Sequence, residues 1–277
     1  MTGFPIPIDE AERLWDLHRL ELLDTPADPC FERIVNLASE ALQMPVALVS
    51  LVDTNRQWFL ARHGLDAQQT SRQVAFCAHT VAAEDLVVIP DTLDDPRFRD
   101  NPLVTGDTRF RFYAGAPLYS PEGHVLGTLC VLDQKPRQLD RKQLNLLQQL
   151  VDVVRRELFL RRQMTLCQLT GTFQCGSFLR IAASDLVRAR AAGFQLACLN
   201  VEIVGFRQVN NCWGYQEGDR LLRTVASQLR ELLQPRDLSG RLGDSDFALL
   251  LLDRDADQAA WEARGRRGKR IVKLMGF

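Results

Sequence analysis

The alternation of apolar and polar residues predicts two helices followed by a set of strands. Apolar positions recur at helical spacing over residues 9–23, with Asp9 as the expected N-cap, and over residues 29–42. Strand-like runs then begin at Val46, Arg56, Leu86, Phe112 and Val125. A turn signal at Ser120-Pro121-Glu122-Gly123 joins the last two runs as a hairpin. This order predicts an α+β domain with an antiparallel sheet that ends near Asp133.

A long helix is predicted next, over residues 139–164. Its apolar residues alternate steps of three and four, as in a short coiled-coil seam, at Leu144, Leu147, Val151, Val154 and Leu158. A second apolar line follows Leu146, Leu150 and Val153. Two interpretations stay open: the helix packs on the first domain alone, or it also pairs with a second copy of the chain. We expect a homodimer through this helix.

The second half of the chain alternates helices with strands. The pattern predicts a helix over residues 178–192, a strand over 195–204, a helix over 217–233 and a hairpin within RLGDSDFALLLL. Strands separated by helices indicate a second, α/β-type unit.

Composition narrows the class of protein. The 34 basic and 35 acidic residues leave a net charge of −1, so no chain-wide field attracts nucleic acid or an anionic membrane. No apolar run approaches the roughly 20 residues of a membrane span. The N-terminus lacks the pattern of a secretion signal. Seven cysteines without paired spacing indicate reduced thiols. We therefore expect a cytoplasmic protein with no nucleic-acid partner and no membrane span.

Aromatic and polar residues of the first half suggest a small-molecule pocket. The candidates are Trp58, Phe59, Cys77, His79, Arg111 and Tyr113. Aromatic walls with a few polar groups are typical of ligand pockets, although the same residues could simply form the core. A metal at the Cys77-x-His79 spacing is not expected, because structural zinc needs four ligands and no second pair lies nearby.

Six segments of the first half resemble the GAF domains of bacterial signalling proteins: ERLWDLHRLELLDTPAD, VALVSLVDTNRQWF, FCAHT, VIPDTLDDPRFRDNPLV, RFYAGAPL and GTLCVLD. The resemblance covers about residues 5–160. It implies a six-stranded antiparallel sheet flanked by helices, with a pocket for an unknown small ligand on one face. Bilin-binding members carry a cysteine directly followed by histidine, whereas this chain has Cys77-Ala78-His79, so a bilin is not expected. We place this domain at residues 5–137 and a linker helix at residues 138–166.

Residues 167–277 resemble a GGDEF domain, the diguanylate cyclase fold, through LNVEIVGFRQVNNCWGYQEGDRLL and RLGDSDF. Members of that family join two GTP molecules, one per subunit of a dimer, into cyclic di-GMP with a divalent metal. The resemblance assigns the guanine-contacting Asn and Asp of the family to Asn210 and Asp219. It assigns a metal-binding aspartate to Glu202, whose carboxylate can still hold Mg²⁺.

The signature of that family, R-x-G-G-D-E-F, is degenerate here. Its last five positions read Gly243, Asp244, Ser245, Asp246 and Phe247. Asp244 adds negative charge beside the expected triphosphate, and Ser245 replaces an acidic metal ligand with a neutral hydroxyl. Asp246 should point to the opposite face from Ser245. The aspartate that opens the family's domain is Cys167, and the arginine of its product-inhibition motif is Gln234.

The second domain is also predicted to be short. Residues 256–264 fit a late helix of the family, yet Phe247 and Ala256 are only nine positions apart. A helix and at least one core strand that usually stand between them are missing. Their loss should leave backbone groups of the sheet uncovered.

Three functions stay open. The first is a signalling protein in which a GAF domain senses a small ligand and an inactive GGDEF domain serves as a regulatory or nucleotide-binding module, with GTP and Mg²⁺ as its possible ligands. The second is a weakly active diguanylate cyclase. In the third, the second domain is vestigial and only the GAF domain functions.

Overall fold

The structure is a computed structural model that describes residues 4–234, 236–252 and 272–274. The chain divides into two compact units, residues 1–160 and residues 161–277. Among the described residues, no helix combines the length and the apolar character that crossing a membrane requires.

The first unit mixes helices with six strands. Its helices are α1 (Glu10–Arg19), α2 (Pro29–Leu42), α3 (Phe76–Ala83) and α4 (Pro102–Thr105), together with most of α5 (Arg141–Thr165). Its strands are β1 (Val46–Val52), β2 (Arg56–His63), β3 (Gln69–Ser71), β4 (Val87–Ile89), β5 (Phe112–Tyr119) and β6 (Val125–Asp133). The short elements β3 and α4 have no periodic apolar pattern, so the sequence did not predict them.

The strands form one antiparallel sheet in the order β3-β2-β1-β6-β5-β4. The predicted α+β fold with a six-stranded antiparallel sheet and flanking helices is therefore confirmed. Gly123 N–H donates to the carbonyl of Ser120 at 3.1 Å in the predicted hairpin between β5 and β6.

The two central strands are buried on both faces. Every residue of β1 and β6 is buried, so their side chains enter two separate apolar clusters. One cluster lies under α1, α2 and α5, and the other lies under α3. The strands approach so closely that a Cβ at Gly127 would stand 1.9 Å from the carbonyl oxygen of Ser50. A larger residue at position 127 would separate the centre of the sheet.

The helix termini follow local hydrogen bonding. Asp28 caps α2, because its carboxylate accepts a hydrogen bond from Cys30 N–H at 2.8 Å. Asp9 stands at the expected N-cap position of α1, but its side chain makes no capping hydrogen bond. Helix α1 ends at Arg19, short of the predicted Leu23.

The buried side of α5 is occupied within the first unit. Leu147, Val151, Val154 and Leu158 of the predicted seam are buried in the helix-side cluster, together with Leu150 of the second line. Leu144 and Leu146 are half-buried, and four large apolar side chains of α5 are exposed: Val153, Phe159, Leu160 and Met164. The seam thus packs on the domain to which it is attached, and only the other side of α5 is left for a second copy.

The second unit is built on a separate sheet. Its helices are α6 (Cys175–Ala192), α7 (Phe206–Trp213) and α8 (Tyr215–Leu232). Its strands are β7 (Phe173–Gln174), β8 (Leu196–Glu202), β9 (Leu238–Arg241), β10 (Asp246–Leu252) and β11 (Val272–Leu274). The strand order is β11-β8-β10-β9-β7. Helix α7 was not predicted; it begins after Gly205 and ends before Gly214, both of which have positive φ.

Strand β8 is paired on both edges over part of its length. Strand β11 pairs antiparallel with Leu199, Asn200 and Val201 of β8, while β10 pairs with the other edge of β8. At these three residues the backbone is paired, contrary to the expectation that the loss of a strand leaves backbone groups of the sheet uncovered. Residues 256–264, the predicted late helix, lie outside the described residues.

We predict that Leu147→Ala lowers the free energy of unfolding of the first unit by about 2–5 kcal/mol, because Leu147 has no exposed surface. Gln148→Ala, the matched control at the neighbouring exposed position of α5, should change it by less than about 0.5 kcal/mol. Hydrogen exchange of β1 and β6 peptides, measured by mass spectrometry, reports on this unit alone. Equal effects of the two variants would contradict the observed orientation of α5.

Candidate functional site

A cavity of about 140 Å³ lies on the α3 side of the first sheet. Its wall is mostly apolar and is formed by side chains from β1, β2, β5, β6, α3 and the neighbouring loops, among them Leu48, Phe59, Phe76, Phe110, Tyr113 and Leu132. The polar groups at its wall include the amide of Gln57 and the thiols of Cys77 and Cys130. A cavity of this size admits only a small molecule.

Three of the six sequence candidates line this cavity: Phe59, Cys77 and Tyr113. Trp58 does not, because it belongs to the cluster on the opposite face of the sheet. Adjacent residues of a strand point to opposite faces, so Trp58 and Phe59 of β2 cannot share one pocket.

His79 and Arg111 have other contacts. The His79 ring packs edge-on against Phe98 with 4.6 Å between the ring centroids. Burial, assisted by nearby Arg97, lowers the pKa of His79 to about 4, so the ring is neutral at pH 7. Arg111 forms a bidentate ion pair with Asp91, in which two guanidinium nitrogens donate to the carboxylate, and it is not part of the cavity wall. Neither residue therefore presents a positive charge to a ligand in the cavity.

The polar groups of the cavity contact one another. Tyr113 and Thr80 share a hydrogen bond of 2.7 Å between their hydroxyl groups. Gln57 Nε2 donates to Cys77 Sγ at 3.2 Å, and Cys77 Sγ lies 3.6 Å from Cys130 Sγ. No sequence pattern indicates Gln57 or Cys130 as cavity residues, because both lie inside strands that are distant from Cys77 along the chain.

In the second unit, strand register brings two carboxylates together. Asp246, the first residue of β10, is paired with Glu202, the last residue of β8. Residues directly opposite in an antiparallel pair carry their side chains on the same face, with Cβ atoms about 5 Å apart. This register shows that Asp246 faces Glu202 across the strand pair, and the expectation that Asp246 and Ser245 point to opposite faces stays a prediction. Ser245 O accepts a hydrogen bond from Ile203 N–H at 3.1 Å.

The degenerate turn is held by a neighbouring arginine. Arg241 Nε donates to the carbonyl of Gly243 at 3.0 Å, and Arg241 Nη2 donates to the carbonyl of Asp244 at 2.9 Å. The φ angle of Asp244 is not positive, so the turn does not require glycine at this position. The Asp244 side chain is exposed and adds charge without backbone strain.

Asn210 lies where α7 meets α8. Its Oδ1 is buried and has no hydrogen-bond partner. A Cβ on Gly218 of α8 would stand 1.8 Å from this oxygen, so the close contact requires glycine at position 218. Asp219 follows on α8 and is half-buried. An unpaired buried amide oxygen costs about 1–3 kcal/mol unless a ligand or water satisfies it.

Cys167 contacts the arginine of the signature. Arg241 Nη1 donates to Cys167 Sγ at 3.6 Å. Burial alone would raise the pKa of Cys167, but hydrogen bonds from Thr170, Arg241 and the Leu169 amide lower it to about 7. A thiol with a pKa near 7 thus stands where the family resemblance assigns an aspartate.

Fold and site together define a two-domain protein in which an α+β domain with an internal cavity precedes a cyclase-like α/β domain. The family profile of the GAF domain matches residues 26–158, and that of the diguanylate cyclase GGDEF domain matches residues 168–274. The chain therefore belongs to the proteins that carry a GAF domain followed by a GGDEF domain, and its GGDEF domain is short relative to full domains.

Similar proteins contain matching regions within longer chains. Cyclic di-GMP phosphodiesterase PA2567 of Pseudomonas aeruginosa is 47% identical over 137 residues, which is 50% of this chain and 23% of that protein. "Probable diguanylate cyclase DgcT" of Escherichia coli is 36% identical over 91 residues, or 33% of this chain and 20% of that protein. The crystal structure of the Caulobacter crescentus DgcB GGDEF domain in complex with c-di-GMP is 25% identical, covers 36% of this chain and 58% of its own, and has a TM-score of 0.35. The chain thus spans less than a quarter of these two curated relatives.

We predict that iodoacetamide alkylates Cys167 at a rate that reaches half its maximum near pH 7, since only the thiolate reacts. Because the pKa of Cys167 is lowered by folding, its contribution to stability is complete above its unfolded pKa and is lost as the pH falls through about 7. Peptide mapping after timed alkylation gives the rate at this residue alone.

Arg241→Gln is the informative variant, because it removes the positive charge and should move the midpoint for Cys167 to higher pH. An unchanged midpoint would show that Arg241 does not stabilise the thiolate.

Proposed function

We propose that this protein is a signalling component of the cyclic di-GMP pathway. Residues 5–137 sense a small ligand, residues 138–166 form the linker helix, and residues 167–277 bind a guanine nucleotide without converting it to cyclic di-GMP. The family assignment of both domains supports the pathway, as do the names of the relatives, a cyclic di-GMP phosphodiesterase and a diguanylate cyclase.

The observation that carries nucleotide binding is the unpaired oxygen of Asn210. Buried polar atoms are nearly always hydrogen-bonded, so an orphan in a half-buried side chain indicates a missing partner. The N–H groups of a guanine base can donate hydrogen bonds to the amide oxygen of Asn210. The Asp219 carboxylate lies one residue after Gly218 and offers further acceptors to the same base.

The changes in the signature oppose turnover. Joining two nucleotides requires charge to be neutralised where a phosphoryl group is transferred. Ser245 supplies a neutral hydroxyl at the position of an acidic metal ligand, and exposed Asp244 adds negative charge on the same turn. Both changes weaken the stabilisation of the transferring phosphoryl group.

The residues that would hold Mg²⁺ are Glu202 and Asp246. Their register places two carboxylates on one face, and Mg²⁺ in nucleotide sites is commonly held by one or two carboxylates together with phosphate oxygens. Among the described residues, no group of three His, Cys, Asp or Glu side chains forms a metal cage. A bound Mg²⁺ would neutralise phosphate charge, and this pair of carboxylates would orient it.

The second candidate function is a weakly active diguanylate cyclase, which is favoured by the pairing of Glu202 with Asp246. Glu202 with Asp246 could compensate for Ser245, because a carboxylate is available on the face that Glu202 occupies. The third possibility, a vestigial second domain, is less well supported, since the described part of this unit has a five-stranded sheet with apolar clusters of its own.

We predict that the full chain binds GTP and that Asn210→Ala weakens binding about tenfold, as expected for the loss of one or two hydrogen bonds. Asn211→Ala, an exposed change on the same helix, is the matched control and should leave affinity unchanged. Isothermal titration with GTP, with and without Mg²⁺, measures both. Equal affinity of the two variants for GTP would show that Asn210 does not contact the nucleotide. Absence of GTP binding by the wild type would refute the proposal.

Incubation with GTP and Mg²⁺ or Mn²⁺, followed by chromatography, distinguishes a nucleotide-binding module without turnover from a weak cyclase. We expect no protein-dependent cyclic di-GMP. If cyclic di-GMP forms and Glu202→Gln abolishes it, the protein is a weak cyclase.

We also propose that the chain forms a homodimer through α5. The exposed apolar side chains of this helix include Val153 and Leu160, which are seven positions apart and therefore lie on one side. A line with this spacing pairs with a second copy in coiled coils. Both the cyclase and the inactive form of the proposal are compatible with such a dimer.

We predict that the wild type sediments as a dimer and that Leu160→Glu shifts it toward monomer, because a buried unpaired carboxylate opposes pairing. Gln163→Glu adds the same charge at an exposed polar position and is the control. Analytical ultracentrifugation measures the difference. A monomeric wild type, or equal behaviour of the variants, would contradict this interface.

A further inference from the structure

Two thiols face each other at the wall of the cavity in the first unit. Cys77 lies in the first turn of α3 and Cys130 lies in β6, 53 positions further along the chain. Their sulfur atoms are 3.6 Å apart, and both residues line the cavity while being almost completely shielded from bulk solvent, at 2% and 0% exposure. None of the seven cysteines forms a disulfide in this structure.

We propose that Cys77 and Cys130 form a redox-active dithiol whose substrate is hydrogen peroxide or a similarly small hydroperoxide, and that oxidation joins them in an intramolecular disulfide. This site is independent of the function proposed for the second domain. It uses only residues of the first unit and requires neither GTP nor a metal.

The surroundings make Cys77 the attacking thiol. Gln57 Nε2 donates a hydrogen bond to Cys77 Sγ, and the amide groups of the first turn of α3 favour negative charge there. Burial would raise the pKa of Cys77, but hydrogen bonds from Cys130, Ser50 and Thr128 lower it. Burial and the neighbouring Cys77 raise the pKa of Cys130, which therefore stays protonated. The two thiols thus have different roles.

The reaction balances with peroxide as the oxidant. The thiolate of Cys77 attacks one peroxide oxygen and breaks the O–O bond, which gives a sulfenic acid and hydroxide; the hydroxide takes up a proton and leaves as water. The thiol of Cys130 then attacks the Cys77 sulfur, and the sulfenic hydroxyl leaves with the Cys130 proton as a second water. Two thiols and one peroxide become one disulfide and two waters.

Cavity size sets the class of substrate. A water molecule takes about 30 Å³ of liquid volume, so a cavity of about 140 Å³ admits hydrogen peroxide but excludes a tripeptide thiol such as glutathione. The sulfur atoms must approach from 3.6 Å to about 2.0 Å to form the bond. The disulfide would fix α3 to β6 at the wall of the cavity.

The test is oxidation of the native full-length chain by hydrogen peroxide. After removal of the peroxide, the protein is unfolded, alkylated and digested, and its peptides are mapped by mass spectrometry. We expect Cys77 and Cys130 to lose their alkylation together, with one cross-linked peptide pair that contains both residues. A dithiol reductant should restore the alkylation of these two cysteines.

Cys77→Ala and Cys130→Ala should each abolish the cross-link, whereas Cys212→Ala, a change at the exposed cysteine, should retain it. The same peroxide dose applied to the wild type in denaturant provides a second comparison, which does not depend on how the variants fold. Selective formation of this pair in the native protein alone supports the proposal. Full recovery of both thiols after peroxide, oxidation of Cys77 without a cross-link, or equal cross-linking in native and unfolded protein would each overturn it.

Discussion

Burial of the two central strands on both faces is the constraint on which the first domain depends. Because β1 and β6 have no solvent-facing side, the apolar side chains along them enter one of two apolar cores. Strand alternation then decides the contents of each core: Trp58 joins the helix-side cluster, and Phe59 joins the cavity side. The lack of a side chain at Gly127 permits the close approach of β6 to the Ser50 carbonyl of β1. The cavity exists because the α3 side is not completely filled.

The second domain depends on pairing of β10 with β8 in a single register. That register sets Glu202 opposite Asp246, and it places the turn before β10 where Arg241 can hold its carbonyl groups. Arg241 also reaches Cys167, which leads into the domain from the linker. One arginine therefore connects the turn before β10 to the start of the domain.

Much of the fold could be predicted because long elements carry strong periodic signals. Helices α2, α5 and α8 and the long strands of both sheets follow directly from apolar spacing, as does the hairpin at Ser120–Gly123. Short elements such as β3, α4 and α7 could not be predicted in this way, because a few residues form no repeat and tertiary contacts select their conformation. Strand β11 was missed for a related reason. Three residues become a strand only because β8 offers an unpaired edge.

The sequence by itself determined the two domain families and the residues Asp244 and Ser245 in the signature turn, and it predicted Asn210 and Asp219 as guanine contacts. It could not determine which of these residues meet, because proximity between positions far apart is set by strand order and register. Only the tertiary structure separated Trp58 from the cavity, paired Arg111 with Asp91, and put Asp246 opposite Glu202. It alone brought Cys77 to Cys130, since a helix terminus and a central strand become neighbours only when the sheet is folded and α3 packs across it.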